Sequence, residues 1–214
     1  ILIADTGKEA PPEGLRFYKA AGFNDEQLAL YRENFGMFGR MVTGMPQSFR
    51  RLQDREVLHL AGHDWEIVIG RGHSPEHACL YDRQRNILIS GDQILPTISS
   101  NVRVYPTEPH ADPLRDWMES LEHMKTRLPA DVLVLPAHNL PFHGIRERLR
   151  ELISHHEDRM LAIEEHCVNP AVAKDLLPVL FARELDPRQM MMALGEAIAA
   201  LSSSETSSSE ISLS

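Results

Sequence analysis

Hydrophobic positions along the chain fall into three kinds of spacing, and each predicts a different element. From Pro11 to about Val42 apolar residues recur every three or four positions (Leu28, Tyr31, Phe35, Phe38), and Asn24 with Gln27 forms a capping box, so this stretch reads as helix until Gly36, Gly39 and Gly44 loosen it. Short alternating or β-branched runs follow. Val57–Leu60 and Trp65–Ile69 read as a strand pair closed by Ala61-Gly62-His63-Asp64, and Ala78–Tyr81 and Asn86–Ser90 as a second pair around the polar turn Asp82–Arg85. From Asp112 to Leu128 the helical signal is strong: Asp112 can cap, Pro113 suits the first helical position, and Leu114, Trp117, Leu121, Met124 and Leu128 mark one face. Val132–Leu135 is a continuous run stopped by Pro136 and predicts a buried strand. Beyond Gly144 the pattern is helical only. Ile145, Leu149, Leu152, Ile153, Met160 and Ile163 predict a long helix, and Pro170 and Pro187 punctuate two more, with Asp186 placed to cap the last. From Ser202 the serine-rich sequence has too few apolar residues to pack and predicts a disordered tail.

Composition narrows the class. The 214 residues are 43% hydrophobic and 25% charged, as in an ordinary globular protein, and the net charge of −9 argues against a nucleic-acid partner. Two cysteines, Cys79 and Cys167, make a disulfide framework unexpected. The opening Ile1-Leu2-Ile3-Ala4 lacks the features of a secretory signal, and no run approaches the length of a membrane span, so a cytoplasmic protein without a membrane partner is expected.

Three polar motifs end apolar runs: Gly72-His73-Ser74-Pro75-Glu76-His77, Ser90-Gly91-Asp92-Gln93 and Leu135-Pro136-Ala137-His138. Imidazole and carboxylate at strand ends form a ligand set suited to zinc, iron or manganese. His73 and Asp92 flank a predicted hairpin, which returns the chain to the sheet edge where it began. His77 could be a second ligand but is expected behind the ligands, orienting Glu76 or a substrate group, while His143 competes with His138 as a nearby alternative. His123, His155, His156 and His166 fall on predicted helices, where His155-His156 before Glu157-Asp158 reads as a solvated face. No Gly-x-Ser-x-Gly elbow, Cys–His signature or Gly-x-x-x-x-Gly-Lys loop occurs, so the catalytic residues of a side-chain nucleophile mechanism are not identifiable.

At these residues the chain resembles the metallo-β-lactamase superfamily of hydrolases. Arg71-Gly72-His73-Ser74-Pro75-Glu76-His77 is similar to that family's Pro-Gly-His-Thr/Ser-Pro-Gly-His motif, Gly91-Asp92 to its Gly-Asp motif and Ala137-His138 to its final Gly-His, with intervals of 19 and 46 residues. The resemblance spans roughly residues 51–144. It implies an α/β fold, a partial αββα sandwich over 1–144 that represents its C-terminal portion, with an all-helical appendage at 145–201 and the tail at 202–214. It also implies two divalent metal ions, zinc or else iron or manganese: His73 on the first, Asp92 bridging both, His138 on the second. The expected activity is attack of metal-activated water on a small-molecule ester, thioester, amide or phosphoester. A hydroxyacylglutathione-hydrolase-like thioesterase and a metal-free, protein-binding scaffold are the rivals. The appendage would roof the cleft or mediate homodimerisation. The family's His-x-His-x-Asp-His motif is absent from the 214 residues. It would belong upstream of Ile1, leaving sheet surface exposed and this form of the enzyme incomplete.

Overall fold

The computed structural model describes residues 7–42, 48–167 and 171–211, without the side chains of Phe38, Pro187, Arg188 and 205–211. The opening Ile1–Ala4, Gly44, Pro170 and the last three residues of the expected tail lie outside the described residues.

The strands β1 (Val57–Leu60), β2 (His63–Gly70), β3 (His77–Asp82), β4 (Ile87–Gly91) and β5 (Leu133–Pro136) form one sheet in sequence order. The first four are antiparallel, and β5 joins β4 in parallel. The β1–β2 connection is tighter than expected: Leu60 pairs directly with His63, leaving only Ala61 and Gly62 in the turn, at φ 51° and 79°. Positive φ at both central residues matches the right-handed twist of the strands, which is why two residues suffice. At the β3–β4 reversal the Asp82 carboxylate accepts from the Gln84 and Arg85 backbone N–H groups, so the turn is closed by its own first side chain.

Helices α1 (Pro12–Ala20) and α2 (Asp25–Asn34) replace the single run expected from Pro11. The capping box explains the break, because Asn24 accepts from Gln27 N–H and Gln27 Oε1 from Asn24 N–H, which starts a new helix there. Helix α3 (Pro113–Arg127) begins as read, with Asp112 accepting from Arg115 N–H. Its apolar face (Leu114, Trp117, Leu121, Met124) is buried against Val68, Cys79, Tyr81, Leu88 and Val134 of the sheet. Helix α4 (Ile145–His166) contributes Ile145, Leu149, Leu152 and Ile163 to the same core.

A short helix α5 (Leu177–Leu180) precedes α6 (Pro187–Ile211). Asp186 accepts from Gln189 N–H, as its position before Pro187 suggested. Helix α6 runs through the serine-rich segment, where disorder was expected from Ser202. Ser202 and Ser204 donate to the carbonyls of Ile198 and Leu201, and Ser203 donates to Asp112 at the start of α3. Their hydroxyls thus satisfy themselves within the helix and on a neighbour, and Ser203 and Ser204 are buried despite the polar composition. Helices α1 and α2 bury Tyr18, Phe23, Leu28 and Tyr31 with Leu194 of α6 in a second, smaller core.

Strand alternation puts Trp65, Ile67, Leu80, Ile87, Ile89, Leu133 and Leu135 on the sheet face opposite the helix-covered core. Ile67 is fully buried, whereas Ile89 is exposed and the others are half-buried. The structure therefore supplies one sheet of a sandwich with helices on one of its faces.

Candidate metal centre

One edge of the sheet gathers every chemical motif. Gly70, the last residue of β2, pairs with His77, the first of β3, and Gly91 at the end of β4 lies beside Pro136 at the end of parallel β5. The loops carrying His73, Asp92 and His138 therefore leave the sheet from the same side. Two glycines make the approach close enough. Gly72 adopts φ 91°, and a Cβ there would run into Trp117 and the Pro113 carbonyl, so the His73 loop lies directly on the start of α3. Gly91 adopts φ 54°, and a Cβ would strike the His77 ring.

The result is a carboxylate between two imidazoles. Asp92 Oδ2 lies 3.8 Å from His73 Nε2, and Asp92 Oδ1 lies 3.2 Å from His138 Nε2. His73 is only 26% exposed at its side chain while His138 is 64% exposed, so the open side of the arrangement is at His138. His73 Nδ1 donates to the Asn101 carbonyl at 2.9 Å. A carbonyl can only accept, so the proton of a neutral His73 sits on Nδ1 and the Nε2 lone pair points at the carboxylate. Two acceptors facing each other need a cation or proton between them. His77 stands edge-on to His73 with ring centroids 5.8 Å apart. Burial foremost, and then the His73 ring, hold His77 below the ordinary histidine value, so it is neutral at neutral pH. Glu76 is not its partner: that carboxylate takes Arg51 at 2.6 Å. His143 turns away from Asp92, its Nδ1 donating to the Asp131 carbonyl.

Among the described residues no group of three or more His, Cys, Asp or Glu side chains could hold one ion. The geometry instead sets one imidazole nitrogen against each oxygen of Asp92. As a donor set it fits divalent metal: a tetrahedral ion with bonds of about 2.1 Å separates neighbouring donors by about 3.4 Å, and the 3.2 and 3.8 Å gaps bracket that value.

Sequence reading missed the residues behind this arrangement. Ser100 Oγ donates to the Asp92 carbonyl, and fully buried Gln93 lies against Gly70 and donates to the Arg71 carbonyl at 3.1 Å. His156 was expected in a solvated face. Only His155 is exposed; His156 is buried edge-on against Trp117 and shares a 2.8 Å hydrogen bond with Ser99. The signal was present, since Ile145, Leu149, Leu152 and His156 follow one another at helical spacing, and position outranks polarity where a partner is available.

Known proteins are similar to this chain in sequence and architecture. Residues 16–138 match the family Metallo-beta-lactamase superfamily, and residues 160–204 match the family Metallo-beta-lactamase-like, C-terminal domain. A beta-lactamase domain protein from Burkholderia ambifaria is 39% identical, with a TM-score of 0.81 over 86% of this chain and 54% of that one. A metallo-beta-lactamase family protein from Thermus thermophilus is 26% identical, with a TM-score of 0.74 over 91% of this chain and 59% of that one. The chain thus spans little more than half the length of these two relatives. With a family match over more than half its residues and the Asp92-centred trio at the sheet edge, the chain belongs to the metallo-beta-lactamase superfamily.

Proposed function

We propose that this chain supplies His73, Asp92 and His138 to a two-metal hydrolase centre that acts on an ester, thioester, amide or phosphoester of a small molecule. The observation that carries the reading is that each Asp92 oxygen faces a different imidazole Nε2, at 3.8 and 3.2 Å. His73 and Asp92 Oδ2 would hold one ion, and His138 and Asp92 Oδ1 the other, with the remaining donors coming from outside this set. What two such ions supply when bound is a water acidified to a pKa of about 7 and a polarised oxygen on the substrate. Zinc suits imidazole with carboxylate, and iron and manganese are compatible with it.

The chain's own residues do the positioning. Asn101 fixes the His73 tautomer, Ser100 pins the Asp92 backbone, and Gln93 ties the His73 loop to β4. The exposed His138 side is the approach for substrate. Among the described residues no helix is long and apolar enough to cross a membrane. The free thiols of buried Cys79 and half-buried Cys167 suit a reducing compartment, and the cytoplasm is the proposed location. The narrower glutathione-thioesterase reading gains no support from Arg83, Arg85, Arg148 or Arg150, which are engaged within the chain. Arg83 pairs with Glu66, Arg85 with Asp82, Arg150 with Glu147, and Arg148 donates to backbone carbonyls.

The test is metal content and turnover of the full natural polypeptide on ester, thioester and phosphodiester substrates, before and after Asp92→Ala. The variant is expected to lose bound metal and turnover together; unchanged metal content would sink the proposal. Thermal melts separate it from a metal-free scaffold. Zinc at 100 times its Kd adds about 2.7 kcal/mol of stability, or roughly 5–10 °C for a protein of this size, whereas a scaffold shows no shift.

A further inference from the structure

The segment between β4 and α3 takes several of its hydrogen bonds from the C-terminal helices. Arg148 of α4 donates to the Leu95 and Ile98 carbonyls at 2.7 and 2.9 Å, and His156 shares its bond with Ser99. From α6, the Gly195 carbonyl accepts from Val104 N–H at 3.1 Å, and Glu196 Oε1 accepts from the Asn101 side-chain amide. The same segment touches two of the three candidate ligands, through the Asn101 carbonyl on His73 and the Ser100 hydroxyl on the Asp92 backbone. Glu196 is itself fixed: Arg159 of α4 lies 3.6 Å from its carboxylate and stacks over Phe181 at 4.8 Å from the ring centroid.

We propose that Glu196 is a positioning residue for the metal centre, acting through Asn101 on His73, with Arg159 holding Glu196 in place. The side chain and the carbonyl of Asn101 belong to one residue, so an amide locked on Glu196 restricts the backbone torsions that aim the carbonyl. That carbonyl selects the Nδ1–H tautomer of His73 and leaves Nε2 free toward Asp92. Without the carboxylate, a half-buried amide must find another acceptor, and the carbonyl swings with it. The helical appendage thereby sets ligand geometry from the opposite side of the loop, a role distinct from roofing the cleft. This inference rests on the metal-centre reading for its functional consequence, but its structural half can be judged without metal.

The experiment compares Glu196→Leu, which removes the acceptor, with Glu196→Gln, which keeps an acceptor oxygen. Leu128→Val, at the far end of α3, controls for general destabilisation. In the full natural polypeptide, zinc affinity is read by competition with a chromophoric chelator, and the His73 tautomer by long-range proton–nitrogen NMR on metal-free protein. Glu196→Leu is expected to weaken zinc binding about tenfold, the low end of the range for groups that orient ligands, and to populate both tautomers. Glu196→Gln should retain wild-type affinity and a single tautomer, and Leu128→Val should lower the melting temperature alone. If Glu196→Leu does not fold, Asn101→Ala removes the amide while leaving the carbonyl, and the same weakening is expected. Wild-type affinity and one tautomer in Glu196→Leu or Asn101→Ala, alongside zinc loss in Asp92→Ala, would overturn the relay and leave the metal centre standing. If Asp92→Ala keeps its zinc, the metal-centre reading fails instead, and the tautomer measurement still decides the role of Glu196.

Discussion

His156 makes the stability of this protein sensitive to mild acid. The side chain is 6% exposed, edge-on to Trp117 at 5.1 Å, and bonded to Ser99. Burial first, and then the charge of Arg159 and the neighbouring His155, push its pKa down to about 3. In the unfolded chain the imidazole regains a value of about 6.5. Above that pH neither state is protonated and the group is silent. As pH falls below it, the unfolded state takes up a proton that the folded state refuses, so stability is lost between about 6.5 and 3. The loss at pH 5.0, relative to pH 7.5, comes to about 2 kcal/mol. Other groups are shifted too: His77 and His155 are also lowered, which adds to the loss, while half-buried Glu196 is raised and opposes it. A difference experiment isolates His156. Urea unfolding of wild type and His156→Gln at both pH values should show the wild type losing about 2 kcal/mol more than the variant, a relative midpoint shift of roughly 1 M. Parallel pH dependences would refute the argument, because they would mean that His156 is solvated or takes its proton without unfolding.

Two further changes probe local packing and capping. Gly72→Ala must place a Cβ against Trp117 and the Pro113 carbonyl at φ 91°. A destabilisation of roughly 2–5 kcal/mol is expected from the left-handed backbone and overpacking together, read by denaturant midpoint, with lower zinc affinity because the His73 loop shifts. Asn24→Ala removes one half of the capping box at the start of α2. It should cost about 1 kcal/mol and leave metal content untouched, since α1 and α2 pack in the smaller core away from the sheet edge; loss of metal would show that core to be coupled to the site.

The sequence by itself determined the local elements and the candidate ligands. The period of three to four from Asp112 to Leu128, the cap at Asp112 and the capping box at Asn24 are short-range preferences, and short-range steric and hydrogen-bonding rules act within a few residues. His73, Asp92 and His138 were legible for the same reason: each follows a strand signal and a turn-forming residue. Only the tertiary structure decided what those residues meet. The parallel docking of β5 beside β4 joins residues whose sequence separation carries no periodic signal, and it sets the distance from Asp92 to His138. Burial of His156 and of Ser203 depends on partners supplied by Ser99 and Asp112, which no local pattern announces. The link from Glu196 to Asn101 spans 95 positions in sequence. A polar group's fate is set by whether a complementary group reaches it in space, and that is a property of the assembled fold.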